Sequence, residues 1–398
     1  MMIYYVLASI GLVLFIYSIS VRQLAKAEVT APILFVSFGA LLALLLPYES
    51  TSTLLDASIV LPVVEVTLAV VLFSDAAKTR LRILYESYQL PLRLLLIGLP
   101  LTVLFGAIFA YWLLPITWVG ATLLAVIIAP TDAALCKGFL TEKRVPIRLR
   151  EATNVESGLN DGLCVPLFLF MLGIFVNHES AELSTLSWLF FRELSIACVI
   201  AITVTWLSIL LIKKAKHHHF FATTTSPFLF VGVALLVFSL AQALHGSGFI
   251  AAFVSGLLFD RFYDDEVKDQ LIEESEHLAD FATLLIWTLF GIVCTSLLSN
   301  GVNVDAMVFA VLAISVVRIL PVMLSLLHSD TTIHERLTLA WFGPKGLATV
   351  VFTLMLLSVM TGEEGALITE VAIYSVLLSI FVHGISTRPV SLSFKGLE

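Results

Sequence analysis

The chain has 398 residues, 59% of them hydrophobic and only 13% charged, whereas an ordinary soluble domain carries about 25% charged residues. That composition excludes a water-soluble globular protein and points to a polytopic membrane protein. The formal charge of −8 says little about nucleic acid, and no such partner is expected, because the acidic excess sits in loops such as DDEVKDQLIEESEHLAD, Asp264 to Asp280, read as a solvated amphipathic helix.

Backbone groups left unpaired in hydrocarbon are costly, so apolar runs of about 20 residues should be helices. About thirteen such runs follow one another, with limits near 3–20, 31–47, 58–75, 90–114, 117–137, 154–176, 187–213, 226–244, 246–263, 281–299, 304–325, 337–360 and 365–386. The first, MMIYYVLASIGLVLFIYSIS, lacks the positive lead-in of a cleaved signal peptide and is kept as a membrane helix. The eighth and ninth are separated only by His245-Gly246-Ser247-Gly248. Cys136, Cys164, Cys198 and Cys294 lie inside apolar runs without metal-type spacing and read as packing residues. His245 and His383, near the ends of these runs, read as structural, and His217-His218-His219 as a loop feature rather than a metal site.

Basic residues favour cytoplasmic loops. Arg22 and Lys26, then Lys78, Arg80 and Arg82, then Lys143, Arg144, Arg148 and Arg150, then Lys214 and Lys216, then Lys268, then Arg336 all fall in odd-numbered loops, and the even-numbered loops hold none. This places the N-terminus outside and the C-terminus, with Arg388 and Lys395, in the cytoplasm. No loop is long enough for a soluble domain, so residues 1–398 form a single transmembrane unit. With the helix at 3–20 set aside, twelve spans divide into two sixes, 31–213 and 226–386, around KKAKHHHFFATTTS. The two sixes are expected to be repeats of opposite topology, a common plan in transporters. The fifth and twelfth helices, read as corresponding members, are both interrupted, at Pro130-Thr131-Asp132 and at Gly343-Pro344-Lys345-Gly346. Proline inside a helix frees carbonyls, and paired breaks of this kind mark a midmembrane ion site. The expected fold is therefore an all-α polytopic membrane protein of two inverted six-helix repeats with broken, crossing helices five and twelve.

Asp132, Asp161, Arg318 and Lys345 lie about five, seven, seven and eight residues from the cytoplasmic ends of their helices, hence at one depth at about 1.5 Å per residue. Charges in a bilayer must be paired or hydrated, so this layer is the candidate functional site. In the sixth helix Ser157 and Asp161 share one face, while Glu156 and Asn160 share a neighbouring face. One face suits a hard cation, which wants oxygen ligands, and Glu156 suits a structural bridge to Arg318. Lys345 is open between charge balancer, helix-dipole partner and participant in proton exchange. Asp75 and Glu65 of the third helix are candidates for the ion pathway.

The runs APTDAAL, ESGLNDG, HGSGFIAAFVSGLLF, VVRIL, FGPKG and VHGIS occur in an order and spacing similar to those of NhaP-type sodium/proton antiporters, members of the monovalent cation:proton antiporter superfamily related to the animal sodium/proton exchangers. The resemblance covers essentially the whole membrane chain. It implies a homodimer in a prokaryotic inner or plasma membrane, in which a core moves against a dimerisation domain. It also implies an Na+ (or Li+ or K+) site formed by Thr131, Asp132, Ser157 and Asp161, with Glu156 bridging to Arg318 and Asn160 supporting the site. The sequence departs from the family at Lys345, where animal exchangers carry arginine between the glycines.

The expected activity is antiport of a monovalent cation, Na+ first, against H+ by competition at Asp161, with no cofactor and no catalytic residue. Asn160 carries no proton, where electrogenic relatives have a second acid, so 1:1 electroneutral exchange is expected. A cation-coupled carrier of a small organic solute is the alternative within transport. An intramembrane aspartyl protease would use Asp132 and Asp161, but it requires a GxGD-type motif, and the second acid here sits in LNDG.

Overall fold

The computed structural model describes residues 2–26, 29–46, 57–78, 89–177, 183–218, 220, 226–262, 268–299, 301–359 and 362–394. Helices occupy every expected run: α1 (Met2–Lys26), α2 (Ala31–Leu45), α3 (Ala57–Lys78), α4 (Gln89–Leu113), α5 (Trp118–Ile128), α6 (Ile147–Asn177), α7 (Leu183–His217), α8 (Ser226–Ala243), α9 (Gly248–Phe262), α10 (Lys268–Leu298), α11 (Val304–Ser325), α12 in two halves (Ile333–Trp341 and Leu347–Val359) and α13 (Glu363–Leu392). Among the described residues eight helices are long and apolar enough to cross a membrane; α2, α5, α8, α9 and the second half of α12 are shorter apolar helices.

Local chemistry sets the helix starts. Thr117 caps α5 by accepting from the Gly120 N–H at 3.1 Å, and Asn303 caps α11 through the Ala306 N–H at 3.2 Å. Thr332 and Glu335 form a reciprocal capping box at the head of α12. Two helices begin well ahead of their apolar runs, by about two turns and about four, α6 at Ile147 rather than 154 and α10 at Lys268 rather than 281. Hydropathy marks where hydrocarbon starts, whereas the i to i−4 ladder continues through charged turns that water tolerates. The helical part of the acidic run, from Lys268 onward, is one such overhang; 264–267 lie outside the described residues.

The interruptions have separate causes. Between α8 and α9 the chain turns at His245, whose φ of 58° makes the left-handed C-terminal cap, and the Gly246 N–H closes the turn on the Ala241 carbonyl at 2.8 Å. α5 stops at Ile128 ahead of Pro130, and its line resumes in the short turns Ala133–Cys136 and Lys137–Thr141. α12 opens between Trp341 and Leu347, around Pro344, while α11 kinks at Ser315.

Packing relies on bare backbone at several crossings. Gly39 of α2 meets the carbonyl of Thr288, and Gly291 of α10 meets that of Val36, each so closely that a Cβ would collide. Gly162 of α6 is covered in the same way by the ring of Phe253 of α9. Phe168 of α6 stacks on Phe352 of α12 with centroids 4.2 Å apart. A second apolar cluster lies at the end bearing Arg144, Arg148 and Arg336, where Phe139 stacks on Phe342 at 4.3 Å and joins the two broken helices. At the opposite end Glu364 accepts from the Thr117 N–H at 2.7 Å and hydroxyl at 2.8 Å, tying α13 to α5. The outward faces of α1 and α7 expose Leu12, Phe15, Trp188, Val199 and Trp206, as a hydrocarbon solvent requires.

Candidate ion-binding site

Two broken helices meet at the centre of the fold. The Asp132 N–H, freed by the break in α5, donates to the Pro344 carbonyl of the break in α12 at 2.8 Å. Asp132 Oδ2 in turn accepts from the Leu347 N–H at 3.1 Å, so this acid caps the second half of α12 at its positive end. Gly346 is required there, because a Cβ would overlap the Asp132 side chain.

α6 supplies the next layer. Glu156, Ser157, Asn160 and Asp161 are 2%, 5%, 1% and 6% exposed. The Ser157 hydroxyl donates to the freed Thr131 carbonyl at 2.8 Å, and its oxygen is 3.1 Å from Thr131 Oγ1. Asn160 Nδ2 donates to Thr131 Oγ1 at 2.6 Å. Asn160 therefore works with the ion face, although its wheel position pairs it with Glu156. Glu156 makes the expected partnership with Arg318, two parallel hydrogen bonds of 2.7 and 2.9 Å between fully buried groups. Gly343 leaves the room that the Arg318 guanidinium fills.

A cavity of about 490 Å³ runs from these residues to the basic-loop end. Thr131, Asp132, Ser157 and Asp161 all line it, whereas Glu156, Asn160, Arg318 and Lys345 stand outside its wall. Asp161 Oδ1 is buried and makes no hydrogen bond. Such an oxygen, beside two hydroxyls, a second carboxylate and a freed carbonyl, is a donor set suited to a dehydrated hard cation. Asp75 lines the cavity near its mouth and Glu65 does not. The sequence reading missed Asp280 and Thr283 of α10, and Glu151 and Asn154 of α6, which also line it. Their signal was only a polar start to an otherwise apolar helix.

Lys345 is buried, and its Nζ makes no hydrogen bond. Its backbone N–H donates to Ser379 Oγ of α13 at 2.6 Å. His383 is buried inside α13 rather than at a helix end, with its ring 5.3 Å from that of Trp341. Among the described residues no group of three or more His, Cys, Asp or Glu is placed to hold a metal ion; His219 lies outside them.

The family model described as "Sodium/hydrogen exchanger, transmembrane" matches residues 10–392. The chain belongs to that family. Together with the apolar helices, this makes it an integral membrane protein. It is similar to a K(+)/H(+) antiporter NhaP of Alkalimonas amylolytica, 24% identical over 389 residues, 96% of this chain and 66% of that protein. A K(+)/H(+) antiporter NhaP2 of Shewanella sp. (strain ANA-3) is 24% identical over 83% of this chain and 59% of its own length. A Na(+)/H(+) antiporter NhaP of Pseudomonas aeruginosa is 27% identical over 77% of this chain and 74% of its own length. The chain thus spans two thirds or less of the two potassium-named relatives. Among solved structures, the sodium proton antiporter MjNhaP1 of Methanocaldococcus jannaschii matches with a TM-score of 0.79 over the whole of both chains at 20% identity, so the two share their fold.

Proposed function

We propose that the protein is a secondary active antiporter that exchanges a monovalent cation for a proton. The observation that carries this reading is the unpartnered carboxylate oxygen of Asp161 at the inner end of the cavity, beside Asp132, Ser157 and Thr131. A carboxylate withdrawn from water must take a partner. A proton and a dehydrated cation are the two partners available, and each excludes the other. That exclusion couples the two fluxes, provided the core crosses only when the site is loaded.

Na+ is the first expectation; the names of the relatives divide between sodium and potassium. Asn160 cannot carry a proton, so one proton exchanges for one cation. A carrier of organic solutes would want apolar walls, whereas charged Asp75, Lys78, Lys137, Glu151 and Asp280 face this cavity. With the basic loops in the cytoplasm, the cavity is the inward-facing entrance. Thirteen crossings and a homodimer complete the proposal, with the inverted units taken as α1–α6 and α8–α13, because units starting at α2 and α8 would enter the membrane from the same side.

The test is dissipation of a pH gradient in everted vesicles on addition of Na+, Li+, K+ and choline in turn. Recovery of the gradient signal with an alkali cation and none with choline is expected. A response to no alkali cation would overturn the reading.

A further inference from the structure

The chain between the two halves of α12 has few backbone partners of its own. In an extended segment each buried N–H and carbonyl must find a partner elsewhere. From Pro344 to Leu347 the partners come from two sides. Asp132 of α5 donates its N–H to the Pro344 carbonyl at 2.8 Å and accepts from the Leu347 N–H at 3.1 Å. On the other side, the Lys345 N–H donates to Ser379 Oγ at 2.6 Å, a short bond between fully buried groups. Ser379 belongs to α13, an unbroken helix from Glu363 to Leu392, whereas α5 and α12 are both interrupted at this level.

We infer that Ser379 is a positioning residue of the ion site: its hydroxyl anchors the α12 break to a continuous helix and thereby sets where Asp132 presents its carboxylate. This rests on the exchange reading above. Ser379 makes no contact with the cavity, so its effect passes through the strap. The hydroxyl fixes Lys345 N, and Lys345 is bonded to Pro344 and Gly346. Gly346 lies flush against the Asp132 side chain with no space for a Cβ, so a shift of the strap moves the acid directly. The hydroxyl is itself held, because His383 Nδ1 lies 3.1 Å from Ser379 Oγ and 3.0 Å from the Ser379 carbonyl oxygen. Trp341, the last residue of the first half of α12, donates from Nε1 to Ser386 Oγ at 2.9 Å. α13 thus grips both sides of the break, at Trp341 and at Lys345.

The experiment measures exchange in everted vesicles across a series of cation concentrations for wild type, Ser379→Ala and Ser379→Thr. Alanine leaves the Lys345 N–H without its acceptor, and threonine keeps one. Loss of one buried hydrogen bond translates into an apparent KM for the cation raised about five- to tenfold in Ser379→Ala. The maximal rate stays within about twofold, because the groups that exchange proton and cation remain. Ser379→Thr returns the KM to near the wild-type value. An unchanged KM in a Ser379→Ala protein that purifies as well as wild type overturns the inference, as does a Ser379→Thr protein with the alanine phenotype. Equal loss of maximal rate and yield without a KM change marks a merely structural serine and also overturns it. Thermal stabilisation of the purified proteins by NaCl against choline chloride separates the two readings. A wild type that neither exchanges nor is stabilised by Na+ overturns the exchange reading and this inference with it, whereas an active wild type indistinguishable from Ser379→Ala overturns this inference alone.

Discussion

Asp132 Oδ2 accepts the Leu347 N–H at 3.1 Å, so an acid from one broken helix serves as the cap of another. An asparagine oxygen can also accept that bond, which separates the structural role of the side chain from its charge. Asp132→Asn is therefore expected to purify with near wild-type stability and to exchange poorly. Asp161→Asn should be folded and inactive, because an amide neither releases a proton nor balances a cation. Vesicle exchange and thermal unfolding measured on the same preparations check both, and wild-type rates in Asp161→Asn would remove Asp161 from the site.

The pair Glu156–Arg318 lies outside the cavity wall, and its substitution should act on stability. Removing one partner of a buried pair leaves an uncompensated charge and costs about 3–5 kcal/mol. Glu156→Ala and Arg318→Ala are each expected to lose yield and melting temperature, with part of the loss recovered in the double variant. Additive losses in the double variant would mean that the bidentate contact contributes no coupling.

Glu335, ahead of the expected span, gives a pH dependence whose sign is fixed. Burial favours its neutral form, but the Thr332 N–H and the Arg148 guanidinium outweigh that and hold its carboxyl below the ordinary glutamate value of 4.5. A depressed value stabilises the fold above pH 4.5 and loses that contribution as pH falls through the folded value. Arg148 is 46% exposed, so solvent screening leaves about 0.5–1 kcal/mol. Glu335→Gln should lower the melting temperature slightly and evenly between pH 7 and about 5, with the gap to wild type closing in stronger acid. A gap that widens on acidification would contradict the assignment.

Asn160 is expected to limit the charge moved per cycle. Its Nδ2 is committed to Thr131 Oγ1, and an amide holds no transferable proton. One cation for one proton moves no net charge, whereas one net charge per turnover would be biased by about 2.3 kcal/mol per 100 mV. Liposomes with a voltage-sensitive dye should show no exchange-driven potential. Turnover that scales with an imposed diffusion potential would require a further proton carrier.

Much of the fold could be read along the chain, since membrane helices are specified by runs of apolar residues and their breaks by Pro130, Pro344 and the flanking glycines. The candidate acids Asp132 and Asp161 were legible because a charge in an apolar run stands out. What escaped depends on contacts distant in sequence. Nothing local distinguishes Ser379 from the many hydroxyls that bond back to their own helix, as Ser375 does at 2.7 Å. Asp280 sits at the end of an acidic overhang, where a solvated role is the ordinary one. Helical angle alone groups Asn160 with Glu156, and only the bond of its Nδ2 to Thr131 Oγ1 shows that Thr131 reaches both faces of α6.

Gly162, next to Asp161, carries a mechanical consequence. Helices usually lock together by dropping ridges of side chains into grooves. The Phe253 ring rests directly on bare α6 backbone at Gly162, with no room for a Cβ between α6 and α9. α6 also contacts α12 through the stacked rings of Phe168 and Phe352. If transport moves α6 past α9, the Cβ added in Gly162→Ala obstructs that movement, and turnover should fall severalfold, about the effect of 1 kcal/mol on a barrier. Gly232→Ala, in open space on α8, should turn over as wild type. Equal rates in the two variants would show that movement at Gly162 does not limit transport.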